Sequence, residues 1–390
     1  MPDTNDEDQR KIKIPMVIVI LLFIIISLII GLSIYFYSRN EMVHNFIDEY
    51  IFRKEVLAEN VPAIDINASN NPYICTVDKY LIVFSKNKMI GYEGENKSFE
   101  LEMIVNNPIM SSSGKYLIAA ENKGKRVYVI SSGRIIWQRD MEGEIQDIYI
   151  NKNGYVAVNL KQSSYTAVIK VFSSEGKELF TNYLASTYAI DLSISNDNKY
   201  LAIAEVKTSG IKVESSIKII SMEKAGNGLG DFRVGDYPMV ADSLITNIHY
   251  QDKNKLVCGY DNKVEVIDNG NITQITEVIS QQNLFLDTSM LGNIVTIEKA
   301  STGILGSDIQ AKIINIDTKE EITYGFESVP KAMTVSDSVV AVNLGTEAYF
   351  VNKNGWLIKR YKSNSEIKKI YLCSNYAAVL YREKIEIIKF

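Results

Sequence analysis

The 390-residue chain is 46% hydrophobic and 23% charged, which suits a globular protein with two ordinary domains or one large repeat domain. Its formal net charge of −5 offers no strongly basic surface, so nucleic acid is excluded as a main partner. The three cysteines, Cys75, Cys258 and Cys373, have no CxxC spacing and no nearby histidine, so they indicate neither a metal site nor a redox motif. We interpret them as small buried side chains.

The first predicted element is a transmembrane helix over residues 14–37. This segment carries no charged residue, and a helix of this length exceeds the ~30 Å hydrocarbon core of a bilayer. It is longer than the apolar part of a cleavable signal peptide, so a retained signal anchor is predicted. Arg10, Lys11 and Lys13 precede it, and the positive-inside rule then predicts a cytoplasmic tail of residues 1–13 and an extracytoplasmic remainder. The predicted localisation is the cell membrane, single-pass, with membrane lipid as one partner.

Residues 38–60 follow as a predicted helical stalk between the membrane and the body of the protein. Apolar side chains recur there at helical spacing. They are Val43, Phe46, Ile47, Tyr50 and Ile51.

Beyond residue 61 one short strand recurs eight times. The copies resemble KYLIAAE and begin at Lys79, Lys115, Gly154, Lys199, Lys255, Asn293, Ser338 and Asn375. Each copy has an alternating strand before it and an apolar strand after it, and Asn, Asp, Ser and Gly occupy the turns. Repeats of about forty residues that each hold several strands are typical of a β-propeller. The sequence predicts an all-β fold over residues 61–390, a propeller of eight blades, or of seven if the first copy is not a full blade.

The two ends of this region are predicted to meet. We name the strands of each blade a, b, c and d from the central channel outwards. The last copy supplies strands a, b and c, and the sequence stops at Phe390 without a strand d. A propeller can close by taking its outermost strand from the other terminus, which removes an unpaired sheet edge. The segment VPAIDIN, residues 61–67, is the predicted closing strand.

The c–d hairpins carry a family resemblance. In RVYVISSGRIIWQRD, a V-x-V strand is followed by Ser-Gly and then by a strand containing Trp. This pattern resembles the single-pass, membrane-anchored bacterial propellers of unknown function whose repeats are similar to the WD40 and quinoprotein-like families. The chain lacks the Gly-His…Trp-Asp signature and the vicinal cysteine pair of quinone-dependent dehydrogenases, so the resemblance implies no cofactor.

The sequence offers little for catalysis. Its only histidines are His44 and His249, too few for a metal cluster or a Ser/His/Asp arrangement in the propeller. We interpret His249 as a hydrogen-bonded structural residue. The glycine-rich run of residues 225–235 matches no phosphate-binding motif and is interpreted as a loop. No catalytic residue, metal ligand or cofactor site is therefore assigned.

Polar residues recur where strand a of successive blades begins. They are Asn107, Asp147, Asp191, Asn247 and Asn283, with Ala332 and Lys369 in the later blades. Such a ring at the mouth of the channel could bind a cation or a small polar ligand. The structural alternative is that each side chain accepts a backbone N–H in its turn, as Asn and Asp commonly do, and this alternative is preferred.

The longest predicted loops suggest a binding face. Because strands alternate in direction, the d–a and b–c connections share one end of the wheel. Residues 206–214, 223–242 and 298–308 are all assigned to that end, and insertions on one face commonly mark the binding face of a repeat protein. Aromatic residues and Arg often anchor interfaces. The candidate contact residues are Lys207, Phe232, Arg233, Tyr237 and Ile304.

These features favour a non-catalytic binding module, tethered to the membrane, for a protein, peptide or glycan of the cell envelope. The alternative is a propeller enzyme, a hydrolase or lyase, that uses Asp147 and Asp191 at the mouth of the channel. A propeller fold is compatible with both.

Overall fold

The computed structural model describes residues 16–39, 47, 54–58, 61–66, 72–85, 87–210, 212–228, 232–238, 243–251, 254–278, 282–299 and 309–390. The chain divides into two compact units, Met1–Lys54 and Glu55–Phe390.

The first unit contains helix α1 (Met16–Arg39). The side chains of residues 20–35 are exposed. Among the described residues, no helix has the length and hydropathy needed to cross a membrane. The predicted single-pass anchor over residues 14–37 and the cell-membrane localisation are therefore wrong. The predicted tail of residues 1–13 lies outside the described residues.

The second unit begins with two short strands, β1 (Glu55–Leu57) and β2 (Ala63–Asp65). Eight blades of antiparallel strands follow in the described part of the chain, each ordered from strand a at the channel to strand d at the outside. Blade 1 contains β3 (Tyr73–Val77), β4 (Tyr80–Ser85), β5 (Lys88–Glu93) and β6 (Asn96–Glu102). Blade 2 contains β7 (Pro108–Ser113), β8 (Tyr116–Glu121), β9 (Arg126–Ser131) and β10 (Arg134–Asp140). Blade 3 contains β11 (Glu144–Ile150), β12 (Val156–Gln162), β13 (Tyr165–Phe172) and β14 (Glu178–Leu184).

Blade 4 contains β15 (Tyr188–Ile194), β16 (Tyr200–Lys207), β17 (Glu214–Ser221) and β18 (Arg233–Pro238), with helix α2 (Met222–Gly226) between the last two strands. Blade 5 contains β19 (Ile245–Tyr250), β20 (Lys255–Tyr260), β21 (Lys263–Asp268) and β22 (Asn271–Glu277). Blade 6 contains β23 (Asn283–Asp287), β24 (Asn293–Lys299), β25 (Ile309–Asn315) and β26 (Glu321–Phe326). Blade 7 contains β27 (Ala332–Val335), β28 (Val339–Asn343), β29 (Glu347–Asn352) and β30 (Leu357–Lys362). Blade 8 contains β31 (Lys369–Leu372), β32 (Tyr376–Leu380) and β33 (Lys384–Lys389).

The hydrophobic core lies in the seams between neighbouring blades. Strand b is sandwiched on both faces, so it reads as a continuous apolar run. In β8 the four central residues are all buried, whereas the outer strand β10 of the same blade is almost wholly exposed. One buried cluster joins Ile118 and Val129 of blade 2 to Ile148 and Val158 of blade 3. Each seam therefore fixes the position of the innermost strands that surround the channel.

The predicted closure is confirmed. Strand β2 pairs antiparallel with β33, with Ile64 opposite Ile385, and completes blade 8 as its fourth strand. The prediction of eight blades is confirmed as well. Strand β1 pairs in parallel with β30 and becomes a fifth strand of blade 7. It lies inside the range 38–60 predicted as a helical stalk, most of which is outside the described residues.

The antiparallel order defines two ends of the wheel. We call the end with the b–c and d–a connections the loop face, and the end with the a–b and c–d connections the turn face. Residues 206–214 connect β16 to β17 and lie on the loop face as predicted. The assignment of residues 223–242 as one loop on this face is wrong, because α2 lies between strands c and d on the turn face and residues 233–238 form strand β18. Residues 239–242 are outside the described residues. Most of residues 298–308 are outside the described residues.

Candidate functional site

Three residues of the predicted polar ring occupy the same place in consecutive blades. Asp147 lies opposite Asn159 on strand b of blade 3, Asp191 lies opposite Ala204 in blade 4, and Asn247 lies opposite Gly259 in blade 5. Since the b strands align residue for residue, the structure brings Asp147, Asp191 and Asn247 to one level of the channel mouth on the loop face.

The other two predicted members do not belong to this level. Asn107 precedes strand β7, has a φ of +46°, and its Oδ1 accepts the hydroxyl of Tyr73 at 3.0 Å. Asn283 lies two residues before Phe285, and Phe285 occupies the position equivalent to Asn247. The predicted ring is therefore an arc over blades 3 to 5.

A bulge precedes this arc in each blade. The register of strand a shifts by one residue in blades 3, 4, 5 and 6, whereas the described a strands of blades 1, 2, 7 and 8 pair without a shift. The extra residues in blades 3 to 5, Gln146, Ile190 and Thr246, are exposed. Bulges redirect side chains and are frequent beside functional sites. They give one half of the mouth a different lining from the other half.

Asp191 links two blades through its carboxylate. Its Oδ1 accepts the N–H of Leu192 at 2.8 Å, and its Oδ2 accepts the N–H of Ile248 in blade 5 at 2.7 Å. Burial raises the pKa of Asp191 to about 6 in spite of these two donors, and the charge of Asp147 contributes to the increase. For Asp191, the preferred structural interpretation is therefore correct, since its side chain accepts backbone N–H groups.

Asp147 is half-buried and has fewer hydrogen-bond donors than Asp191. Burial raises its pKa, and the N–H of Ile148 is the donor that opposes the increase. By equivalence with Asp191, its cross-blade donor should be the N–H of Leu192. That N–H is bonded to Asp191 instead, so Asp147 has no hydrogen bond to blade 4 that corresponds to the bond between Asp191 and Ile248.

Asn159 lies beside Asp147 in the same seam. Its Nδ2 donates to the carbonyl oxygen of Ala189 in blade 4 at 3.2 Å. Its Oδ1 is buried and accepts no hydrogen bond, although the residue is only 6% exposed. We call Asp147, Asn159 and Asp191 the acceptor cluster. The sequence could not reveal Asn159, because it lies within an apolar b strand and not at the start of a strand a.

Deeper in the channel, His249 is half-buried on β19. Burial lowers its pKa, and the charges of Asp337 and Asp287 oppose that decrease. The prediction that it is a hydrogen-bonded structural residue is not tested by these interactions. In the described part of the chain, no three His, Cys, Asp or Glu residues are grouped closely enough to hold a metal ion.

Exposed aromatic side chains surround the loop face of blades 3 and 4. Tyr165 begins β13 and Tyr183 ends near the same edge of β14, and their ring centroids are 4.6 Å apart. Tyr188 begins β15, and Ile190 is the bulge residue of that strand. These residues are 39%, 54%, 50% and 38% exposed, respectively. We call Tyr165, Tyr183, Tyr188 and Ile190 the rim.

The contact residues predicted from the loops do not share one face. Lys207 is exposed at the end of β16, on the loop face. Phe232 packs against the core of blades 3 and 4 next to the turn face, and Arg233 begins β18 beside it. Tyr237 lies near the loop-face end of β18, opposite Ile217, and packs against the core of blades 4 and 5. Ile304 lies outside the described residues. The predicted grouping of Phe232 and Arg233 with Lys207 on one face is therefore wrong.

Two larger grooves occur on the loop face away from the acceptor cluster. One, of about 730 Å³, lies between blades 1 and 2, and the other, of about 830 Å³, lies between blades 7 and 8. The lining of each groove includes one ion pair, Arg126 with Asp140 in the first and Lys331 with Glu366 in the second.

Known structures share the fold at low identity. The WD40 domain of SCAP from fission yeast aligns with a TM-score of 0.50 and 9% identity, covering 85% of this chain and 92% of that one. Sqt1 from Chaetomium thermophilum, bound to the N-terminus of ribosomal protein L10, aligns at 0.48 and 8%, covering 86% and 100%. AztD from Citrobacter koseri aligns at 0.48 and 8%, covering 76% and 87%. These likenesses concern the fold alone.

No protein of curated function matches the chain. A family model does match residues 53–390, and the chain therefore belongs to DUF5711, a family of unknown function.

Proposed function

We propose that this protein is a non-catalytic binding module that recognises a protein or peptide through the loop face of blades 3 and 4. The observation that carries the proposal is the rim. Its three tyrosines and one isoleucine are exposed on a rigid scaffold, and aromatic side chains at such positions supply large contact areas at interfaces.

What distinguishes the rim is its grouping on two neighbouring blades. Other exposed large apolar residues are spread over both faces, beside the loops at Tyr73, Ile104, Val213, Leu244 and Val329, and in or beside the turns at Leu291, Trp356, Ile135, Val234, Ile272, Ile322 and Phe390.

The contacts of Asp191 favour binding over catalysis. An acid catalyst must reach its substrate with a free carboxylate oxygen, but both oxygens of Asp191 are bonded to backbone N–H groups. That leaves Asp147 as the single candidate, and a hydrolase or lyase needs a second acid or base beside it. The enzyme alternative therefore has less support than the binding module.

The test is affinity capture with the full-length chain. We expect Tyr183→Ala combined with Tyr188→Ala to abolish capture of the ligands that the wild type retains, and we expect Trp356→Ala to leave capture unchanged. Trp356 is a suitable control because it is 59% exposed and lies in the c–d turn between β29 and β30 on the turn face. Equal capture by the double variant and the wild type would refute the proposal. The proposal would also be contradicted if the captured ligand were a glycan, that is, if it were destroyed by glycosidases and not by proteases.

A further inference from the structure

We propose that the acceptor cluster binds an organic cation, the ammonium or guanidinium group of the ligand. This inference rests on the proposed function and names the chemistry that anchors the ligand beside the rim.

The cluster is rich in acceptors. The carboxylate of Asp147 and the Oδ1 of Asn159 adjoin the seam between blades 3 and 4, where these two residues lie opposite each other on strands a and b. The N–H of Leu192 is bonded to Asp191, and one of the two N–H groups of the Asn159 Nδ2 is bonded to Ala189. A group with several N–H donors and no acceptor fits this environment, and ammonium and guanidinium are such groups.

The negative charge of the cluster is not neutralised within the chain. Among the described residues, neither Asp147 nor Asp191 takes part in an ion pair. Two basic side chains of blades 3 and 4 have other partners, since Lys218 pairs with Glu205 at 2.5 Å and Lys170 lies 3.4 Å from Glu178. A half-buried charge without a partner is costly, and a cationic ligand would remove that cost.

Blade 7 provides an internal comparison. Asn343 occupies the position of Asn159, and its Nδ2 likewise donates to the next blade, to the carbonyl of Ile367 at 3.1 Å. Its Oδ1, however, accepts the N–H of Gly345 at 2.8 Å, and Ala332 lies opposite it in place of an aspartate. The unpaired amide oxygen in blade 3 is therefore a local feature of the acceptor cluster and not a general property of this position.

The surroundings favour an organic cation over a metal ion. Both oxygens of Asp191 already accept backbone N–H groups, which leaves one carboxylate and one amide oxygen in the cluster, and no three His, Cys, Asp or Glu side chains among the described residues could hold a metal ion. The rim lies on the same two blades, and tyrosine faces can hold the alkyl stem or the planar head of a lysine or arginine side chain.

The experiment titrates the full-length chain with small probes at pH 7.5 by calorimetry. The probes are n-butylammonium and methylguanidinium, with n-butanol as the neutral control and calcium chloride as the metal control. We expect saturable binding of at least one organic cation and none of the two controls. Asp147→Asn combined with Asp191→Asn should weaken binding at least tenfold, because charged hydrogen bonds are lost.

The two asparagines supply a matched pair of variants. Asn159→Ala and Asn343→Ala each remove one cross-blade hydrogen bond, and Asn343→Ala also removes the bond from the N–H of Gly345, so we expect the larger decrease in Tm for Asn343→Ala. Only Asn159→Ala should weaken cation binding, by about fivefold or more. The inference is overturned if neither cation binds, if calcium binds instead, or if both asparagine variants weaken binding equally. Because the probes are small molecules, these failures are distinct from a loss of ligand capture in the rim variants, which concerns the proposed function.

Discussion

The closing strand can be tested by one substitution, Ile64→Ala. Ile64 is the central residue of β2, is 7% exposed, and packs with Leu81, Ala378 and Ile385 between blades 8 and 1. The change removes three buried carbon atoms, which contribute about 2.4 kcal/mol at ~0.8 kcal/mol each, and it leaves a cavity that adds to the loss. We expect the free energy of unfolding to fall by about 3 kcal/mol.

The assay is urea unfolding followed by far-ultraviolet circular dichroism, where the midpoint should fall with an unchanged slope. For a propeller of this size the corresponding decrease in Tm is about 4 °C. Asp65→Ala is the control, since Asp65 is the exposed neighbour on the same strand and its loss should cost less than about 0.5 kcal/mol. A loss below about 1 kcal/mol for Ile64→Ala, or equal losses for both variants, would refute the role of β2 in closure.

Three further predictions concern backbone, charge and thiols. Gly154 has a φ of +84°, and a Cβ there would lie 2.9 Å from the ring of Tyr116, so Gly154→Ala should reduce the free energy of unfolding by about 2 kcal/mol or more. Gly94→Ala, which meets no atom within 4 Å at a φ of +61°, should cost less in the same urea assay, and the reverse order would contradict the steric argument. Because burial raises the pKa of Asp191 to about 6, its protonated form stabilises the fold fully below about pH 4, and that contribution is lost as the pH rises through 6. Across this pH window the free energy of unfolding of the wild type should fall by up to ~3 kcal/mol relative to that of Asp191→Asn. Equal pH dependence of the unfolding free energy in the two proteins would contradict this prediction. Burial also raises the pKa of the Cys75 and Cys373 thiols to about 12, so labelling by iodoacetamide at pH 8 should be slow in the native protein and fast in urea, whereas rapid native labelling would show that these thiols are accessible.

The repeat pattern was sufficient to predict the wheel, because each blade carries an apolar b strand whose sequence copies the others. Closure by VPAIDIN was predictable for the same reason, since a blade without strand d requires one. Strand β1 was not predictable. It has three residues, and its partner β30 is about 300 residues away in the chain, so no local periodicity indicates the pairing. The loop assignment of residues 223–242 failed because RVGDYP contains Gly, Asp and Pro, which are poor strand formers, although it forms strand d of blade 4.

Site residues were harder to predict than the fold. The polar residue near the start of strand a was predicted correctly as a shared position in Asp147, Asp191 and Asn247. These three residues follow the bulge of their strand, whereas Asn283 precedes it, so Asn283 does not belong to their level. Asn159 is recognised by an amide oxygen that accepts no hydrogen bond, and the rim is recognised by strand ends that lie on the same face. The sequence shows neither property. Both properties arise from packing between blades.

The pairing of β2 with β33 also constrains how the chain acquires its shape during synthesis. A ribosome completes Ile64 roughly 320 residues before its partner Ile385, an interval of about 16 to 64 s at 5–20 residues per second. Throughout that time β2 has no strand partner, and the nascent blades form an open arc with two unpaired edges. The loop-closure entropy of this long-range pairing is a small cost, because each doubling of the intervening length adds only about 0.6 kcal/mol. The hazard is kinetic, since these unpaired edges can pair with other nascent chains until β33 has been synthesised.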